Sequence, residues 1–172
     1  EEATTELVER FFASHGPVAL RDLQRWTRLN LGEIRGAIAS LGPSLGSVEV
    51  NGETLWFGAQ AMAERGPGSA GFAAARRRAE GAWLLSTFDE AALTHGTLPL
   101  PLLPGSTPSA AKYGESGGGP MFWDLHLAGA WKRTLVKGRF TVRLIAAGPL
   151  PQLARTALVA QAEALAHRAG FA

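Results

Sequence analysis

The sequence predicts an α+β fold, and three observations carry that prediction. Residues 5–41 show apolar side chains at helical spacing. Asn51-Gly52 lies between alternating apolar residues, the signature of a two-residue β-hairpin turn. Residues 121–146 alternate as strands, and a helical stretch follows them. In chain order this gives three helices with a hairpin, then a small antiparallel β-barrel-like domain, then a C-terminal helix.

The first helix is expected over residues 5–14. Leu7, Val8, Phe11 and Phe12 form its apolar face, Thr4 or Thr5 can cap it, and Gly16-Pro17 ends it. The second spans 20–26 and buries Leu20, Leu23 and Trp26, with Arg21 and Arg25 facing away. The third spans 31–41. Asn30 and Glu33 have the spacing of a capping box, in which each side chain satisfies the other's backbone amide. Ile34, Ile38 and Leu41 line its inner face, leaving Glu33, Arg35, Gly36 and Ser40 outside. The hairpin then covers Val48–Phe57. Three helices closed by a hairpin describe a winged helix, a helix-turn-helix variant that most often meets DNA. Its third helix offers few base-reading side chains, and its hairpin carries Glu49 and Glu53 without a Lys or Arg. Contact with DNA and use as a packing module both fit this pattern.

Residues 58–71 are rich in Gly and Ala and include Gly66-Pro67-Gly68-Ser69, so they are expected to be a linker or exposed loop. The domain division expected is 1–60, a linker at 61–81, and 82–172. Arg76-Arg77-Arg78 can touch phosphate or simply be a solvated surface. Residues 82–88 have the pattern of a buried strand and Asp89–Leu93 that of a helical turn. The Pro- and Gly-rich stretch 96–120 is expected to be a long loop in which Gly117-Gly118-Gly119 supplies flexibility, since no Lys-Ser/Thr follows to make a phosphate loop. Strands are expected over 121–127, 130–136 and 139–146, turning at Ala128-Gly129 and Lys137-Gly138. Alternation places Lys132, Arg139 and Arg143 so that they can form a cationic stripe, although a solvated sheet face has the same pattern. Pro151 opens the final helix and Gly170 stops it; Leu158, Ala162 and Leu165 face inward, with Val159 alongside.

Composition bounds the chemistry. With no cysteine among 172 residues, disulfides, thiolate zinc sites and cysteine nucleophiles are excluded. The apolar runs are too short to span a bilayer and no secretory signal pattern opens the chain, so the cytoplasm is the expected compartment, at the nucleoid if DNA is the partner. The net charge is only +2, but phosphate binding needs a local cationic surface rather than a large global charge. The four histidines are scattered without metal-ligand spacing, and no cofactor is expected. Asp124 and His126 are two apart and could pair as a base, but no nucleophile accompanies them.

Four stretches, GPVALRDLQRW at 16–26, VEVNGETLWF at 48–57, LLSTFDEAALTHG at 84–96 and GAWKRTLVKG at 129–138, occur in an order that resembles the winged-helix DNA-binding proteins related to the AlkZ (YcaQ-type) bacterial DNA glycosylases. The resemblance implies tandem winged helices followed by a β-barrel-like domain, acting on duplex DNA. It implies excision of alkylated bases, including unhooking of interstrand crosslinks, without a metal. The family's catalytic motif is Gln-any-Gln or Gln-any-Asp in the N-terminal part, where it positions a water. Gln24, Gln60, Gln152 and Gln161 do not stand two before a Gln or an Asp. The likeness is therefore to the C-terminal part of such an enzyme, and no catalytic residue is carried over.

The expected partner is duplex DNA, gripped mainly by its phosphate backbone through Arg21, Arg25 and Arg35 of the helices and Lys132, Arg133 and Arg139 of the sheet. The chain is expected to be a fragment whose N-terminal catalytic half lies elsewhere. The alternatives are a module that packs against that half with little DNA affinity of its own, and an intact DNA glycosylase.

Overall fold

The computed structural model describes residues 2–96, 100–107 and 117–171. The chain divides into two compact units, Glu1–Arg78 with Leu93–Pro99, and Ala79–Ala92 with Leu100–Ala172. Helices and antiparallel sheets make the class α+β.

The first unit opens with α1 (Glu2–His15), then β1 (Val18–Ala19), α2 (Leu20–Thr27), α3 (Leu31–Leu41), β2 (Leu45–Val50) and β3 (Glu53–Gly58). Its core joins Val8, Phe11 and Phe12 of α1 to Leu23 of α2 and to Ile34 and Ala37 of α3. These are the apolar faces that the helical spacing marks out. The capping box forms as expected, with Asn30 Oδ1 accepting from the Glu33 amide and Glu33 Oε2 from the Asn30 amide, both at 2.9 Å. The hairpin turns at Asn51 and Gly52, both in the left-handed region at φ 53° and 79°, as a type I′ turn requires. β1 pairs with β3 and gives the sheet order β1-β3-β2; a two-residue strand carries no periodicity, so the sequence concealed it.

Three local expectations are corrected. The first helix starts at Glu2, so Thr4 and Thr5 lie inside it and do not cap it. Trp26 is 48% exposed rather than buried; its ring leans on Phe11 and His15 at the end of α1, at centroid distances of 5.5 and 6.0 Å. The stretch read as a linker is largely helical, with α4 at Ala59–Arg65 and α5 at Ala70–Ala79. Only the Gly66–Ser69 turn breaks it, because alanine favours helix wherever glycine and proline do not interrupt.

The second unit contains β4 (Ala82–Leu84), α6 (Glu90–Leu93) up to Ala92, β5 (Gly118–Trp123), β6 (His126–Val136), β7 (Arg139–Ala146) and α7 (Gln152–Arg168). The strands form one antiparallel sheet in the order β4-β5-β6-β7. A bulge at Met121/Phe122 bends it into a barrel-like curl, and no pairing between β4 and β7 closes it among the described residues. Leu158 of α7 packs with Met121, Ala128 and Trp131, while Phe122, Leu127 and Ala147 form a second small cluster with Leu100 and Leu102. Val159, expected alongside the inner face, is 44% exposed. The strand expected over 82–88 ends at Leu84, and its Trp83 is exposed.

The meander is present but its first turn is displaced. The chain turns at Asp124-Leu125, both with positive φ, and β6 runs unbroken from His126. Pairing passes from Phe122↔Leu127 to Met121↔Gly129, which leaves Ala128 as the extra residue of the bulge. Gly129 is therefore a bulge glycine at φ 145°, not a turn residue. Gly118 and Gly119 are strand residues rather than a flexible hinge. A Cβ on Gly118 would strike the Trp131 carbonyl, and one on Gly119 the Leu85 carbonyl. Of the loop expected over 96–120, residues 97–99 and 108–116 lie outside the described residues.

Candidate nucleic-acid interface

The helical candidates separate by their surroundings. Arg21 on α2 and Arg35 on the outer face of α3 are exposed. Arg25 is tied down: Nη2 donates to Asp22 Oδ1 at 2.8 Å and Nη1 to the Leu93 carbonyl at 3.3 Å. Asp22 is only 2% exposed, and its Oδ2 accepts the Ala19 amide at the start of α2. A buried carboxylate needs a partner, and Arg25 supplies it. Its side chain is nevertheless 48% exposed. The rest of the outer face of α3 is polar and small: Glu33 is engaged in the capping box, and Ser40 Oγ donates to the Gly36 carbonyl. In the β2–β3 hairpin, Thr54 Oγ1 donates to a Glu49 carboxylate oxygen across the strands. This face of the first unit therefore carries isolated cations rather than a continuous patch.

The sheet of the second unit concentrates charge. A two-residue turn at Lys137-Gly138, with φ of 48° and 79°, fixes the register of β6 and β7. Lys132 pairs with Arg143, Thr134 with Thr141 and Val136 with Arg139. Directly opposed residues share a face, so Lys132, Arg143 and Arg139 stand together with the two threonines between them. Arg133 does not belong to this stripe. It pairs with Val142 on the face covered by α7 and borders a hollow with Leu135, Phe140 and Phe171. Phe140 and Phe171 stack there with centroids 4.8 Å apart.

The remaining polar candidates are accounted for by local structure. Asp124 Oδ1 accepts the Gly81 amide at 2.8 Å, and His126 Nδ1 lies 2.7 Å from the Asp124 carbonyl oxygen, so the carboxylate and the imidazole do not form a dyad. Asp89 Oδ1 accepts the Ala91 amide at the start of α6. Among the described residues no cluster of three metal-ligating side chains occurs, and no helix is long and apolar enough to cross a membrane.

The described residues thus give an α+β chain with cations gathered on one face of the second unit's sheet. It belongs to the AlkZ-like family, described as DNA glycosylase AlkZ-like, whose model matches residues 1–168. Its fold is similar to that of the Streptomyces sahachiroi DNA glycosylase AlkZ, with a TM-score of 0.60 and 18% identity, over 99% of this chain and 44% of that one. The chain thus spans less than half the length of that protein, and at this identity the likeness is one of fold. No curated protein matches it in sequence.

Proposed function

We propose that this chain is the DNA-binding, C-terminal part of a glycosylase-type repair protein, and that it holds duplex DNA by its backbone without catalytic residues of its own. Its first sixty residues act as a winged helix, residues 82–172 act as the sheet domain, and residues 61–81 connect them. Membership of the AlkZ-like family supports a repair role. The observation that carries the binding role is the rung Lys132↔Arg143 with Arg139 on the same face. Lys132 is half-buried and has a partner within the chain, whereas Arg143 and Arg139 are exposed beside it, where a polyanion can reach them. Arg21 and Arg35 add exposed cations, Arg25 adds a half-exposed one, and Arg133 contacts the backbone from the other side of the β6–β7 hairpin.

The test is a mobility shift on undamaged, abasic and crosslinked duplexes across a salt series. Binding should weaken steeply with salt, each phosphate contact contributing about −0.9 to the slope of log K against log salt. Similar affinity for all three duplexes is expected, with no base released. A flat salt response would overturn the reading. The acidic β2–β3 hairpin and the Arg25–Asp22 ion pair favour a second reading, a module that docks on a separate catalytic half and has little DNA affinity alone. Under that reading the shift would appear only when that half is added.

A further inference from the structure

We infer that α5 is a second phosphate-binding element, which grips the duplex through Arg77 and Arg78; the inference rests on the DNA-binding reading above. Three features of α5 need a common cause. It is ten residues long and none of them is buried. Its neighbours among the described residues are at its ends, where Gly71 abuts Glu64 of α4 and the Ala79 carbonyl accepts Trp83 Nε1, and Phe72, itself 38% exposed, borders a hollow with Val48 and Phe57. Isolated helices shorter than about 12–15 residues are marginal in water, so such a helix gains most from a partner that holds it.

Charge selects the partner. Residues 66–79 contain no Asp or Glu, and their three consecutive arginines outweigh the +2 of the entire chain. One basic residue in the last turn would satisfy the helix dipole. Three in succession instead cover about 200° of the helix circumference at 3.6 residues per turn. Arg76 already has a partner within the chain. On their own helix Arg78 has only alanines one turn back, and Arg77 likewise. The small side chains of Ala73, Ala74 and Ala75 leave room for a sugar–phosphate strand beside the two guanidinium groups. Arginine forks match phosphate oxygens bidentately, and this geometry serves any sequence.

The experiment is the salt dependence of duplex binding by the full chain carrying Arg77→Ala and Arg78→Ala, beside the unaltered chain and the Arg77→Lys, Arg78→Lys pair. Loss of two contacts should reduce the magnitude of the salt slope by about 1.8, at about 0.9 per phosphate, whereas the lysine pair should keep most of it. Far-ultraviolet circular dichroism of the free proteins should be unchanged, since the two side chains are exposed. A rise in helical signal on adding duplex, absent from the alanine pair, would support the proposal further. An unaltered salt slope in the alanine pair, with the parent chain still binding, would overturn this inference alone. Failure of the parent chain to bind duplex at any salt would overturn it together with the reading on which it rests.

Discussion

Gly129 and Gly138 are both glycines at positive φ, but they are needed for different reasons. At Gly138 the backbone is left-handed in open space, so alanine there should cost only the local strain, about 1–2 kcal/mol. At Gly129 a Cβ would strike the Ile145 carbonyl and come within 2.8 Å of the Met121 side chain. Gly129→Ala should therefore add an overpacking cost of about 1–3 kcal/mol to a strain of about 1–3 kcal/mol. Urea unfolding of the two variants checks this; equal losses would mean that the bulge relaxes freely. The same pair shows what a sequence discloses at this scale. Lys137-Gly138 and Asn51-Gly52 announce their turns because glycine stands where the turn needs it. Asp124-Leu125 does not, since Leu125 at φ 67° is held left-handed by the strands it joins and by the Gly81–Asp124 hydrogen bond, which no dipeptide rule anticipates. Gly129, being visible, drew the turn to itself.

The β6–β7 hairpin gathers Lys132, Arg139 and Arg143 on one face. Because its turn has two residues, the partners 136↔139, 134↔141 and 132↔143 follow by counting outward, so the cationic face was legible once the turn was known. Alternation also sorts Arg133 onto the opposite face with Trp131 and Leu135, and the observed register agrees. Arg143→Glu should convert a repulsive rung into an attractive one. Opposite-charge pairs across strands contribute roughly 0.2–1 kcal/mol, so the variant should be as stable as the parent or more so, while duplex binding weakens and its salt slope shrinks. Chemical denaturation alongside a binding titration separates the two effects. A stability loss above about 1 kcal/mol would assign Arg143 a structural task instead. The helices α4 and α5 were missed for the opposite reason. Their residues carry almost no apolar periodicity, and a helix that buries nothing leaves no stripe to read.

At the scale of the molecule, the chain assembles two separate cores. Leu23 is fully buried among Phe12 and Ile34, and Leu158 is fully buried among Met121 and Trp131. Both clusters were largely foreseeable, because core-facing helices and strands repeat at fixed periods; the grouping of Leu93–Pro99 with the first unit was not, because it depends on contacts distant in sequence such as Arg25 with Leu93. Truncating either leucine to alanine should cost about 2–5 kcal/mol, and the loss should stay within the core that suffers it. The Trp131 indole, which donates to the Leu85 carbonyl at 2.8 Å, reports on the second unit, and the partly buried Trp56 on the first. Hydrogen exchange followed by NMR should show Leu23→Ala opening the amides around Trp56 while the Trp131 indole proton stays protected, and Leu158→Ala doing the reverse. If either variant released both sets of protons to the same extent, the two cores would unfold as one cooperative unit, and a cationic face on the second could not be varied without disturbing the first.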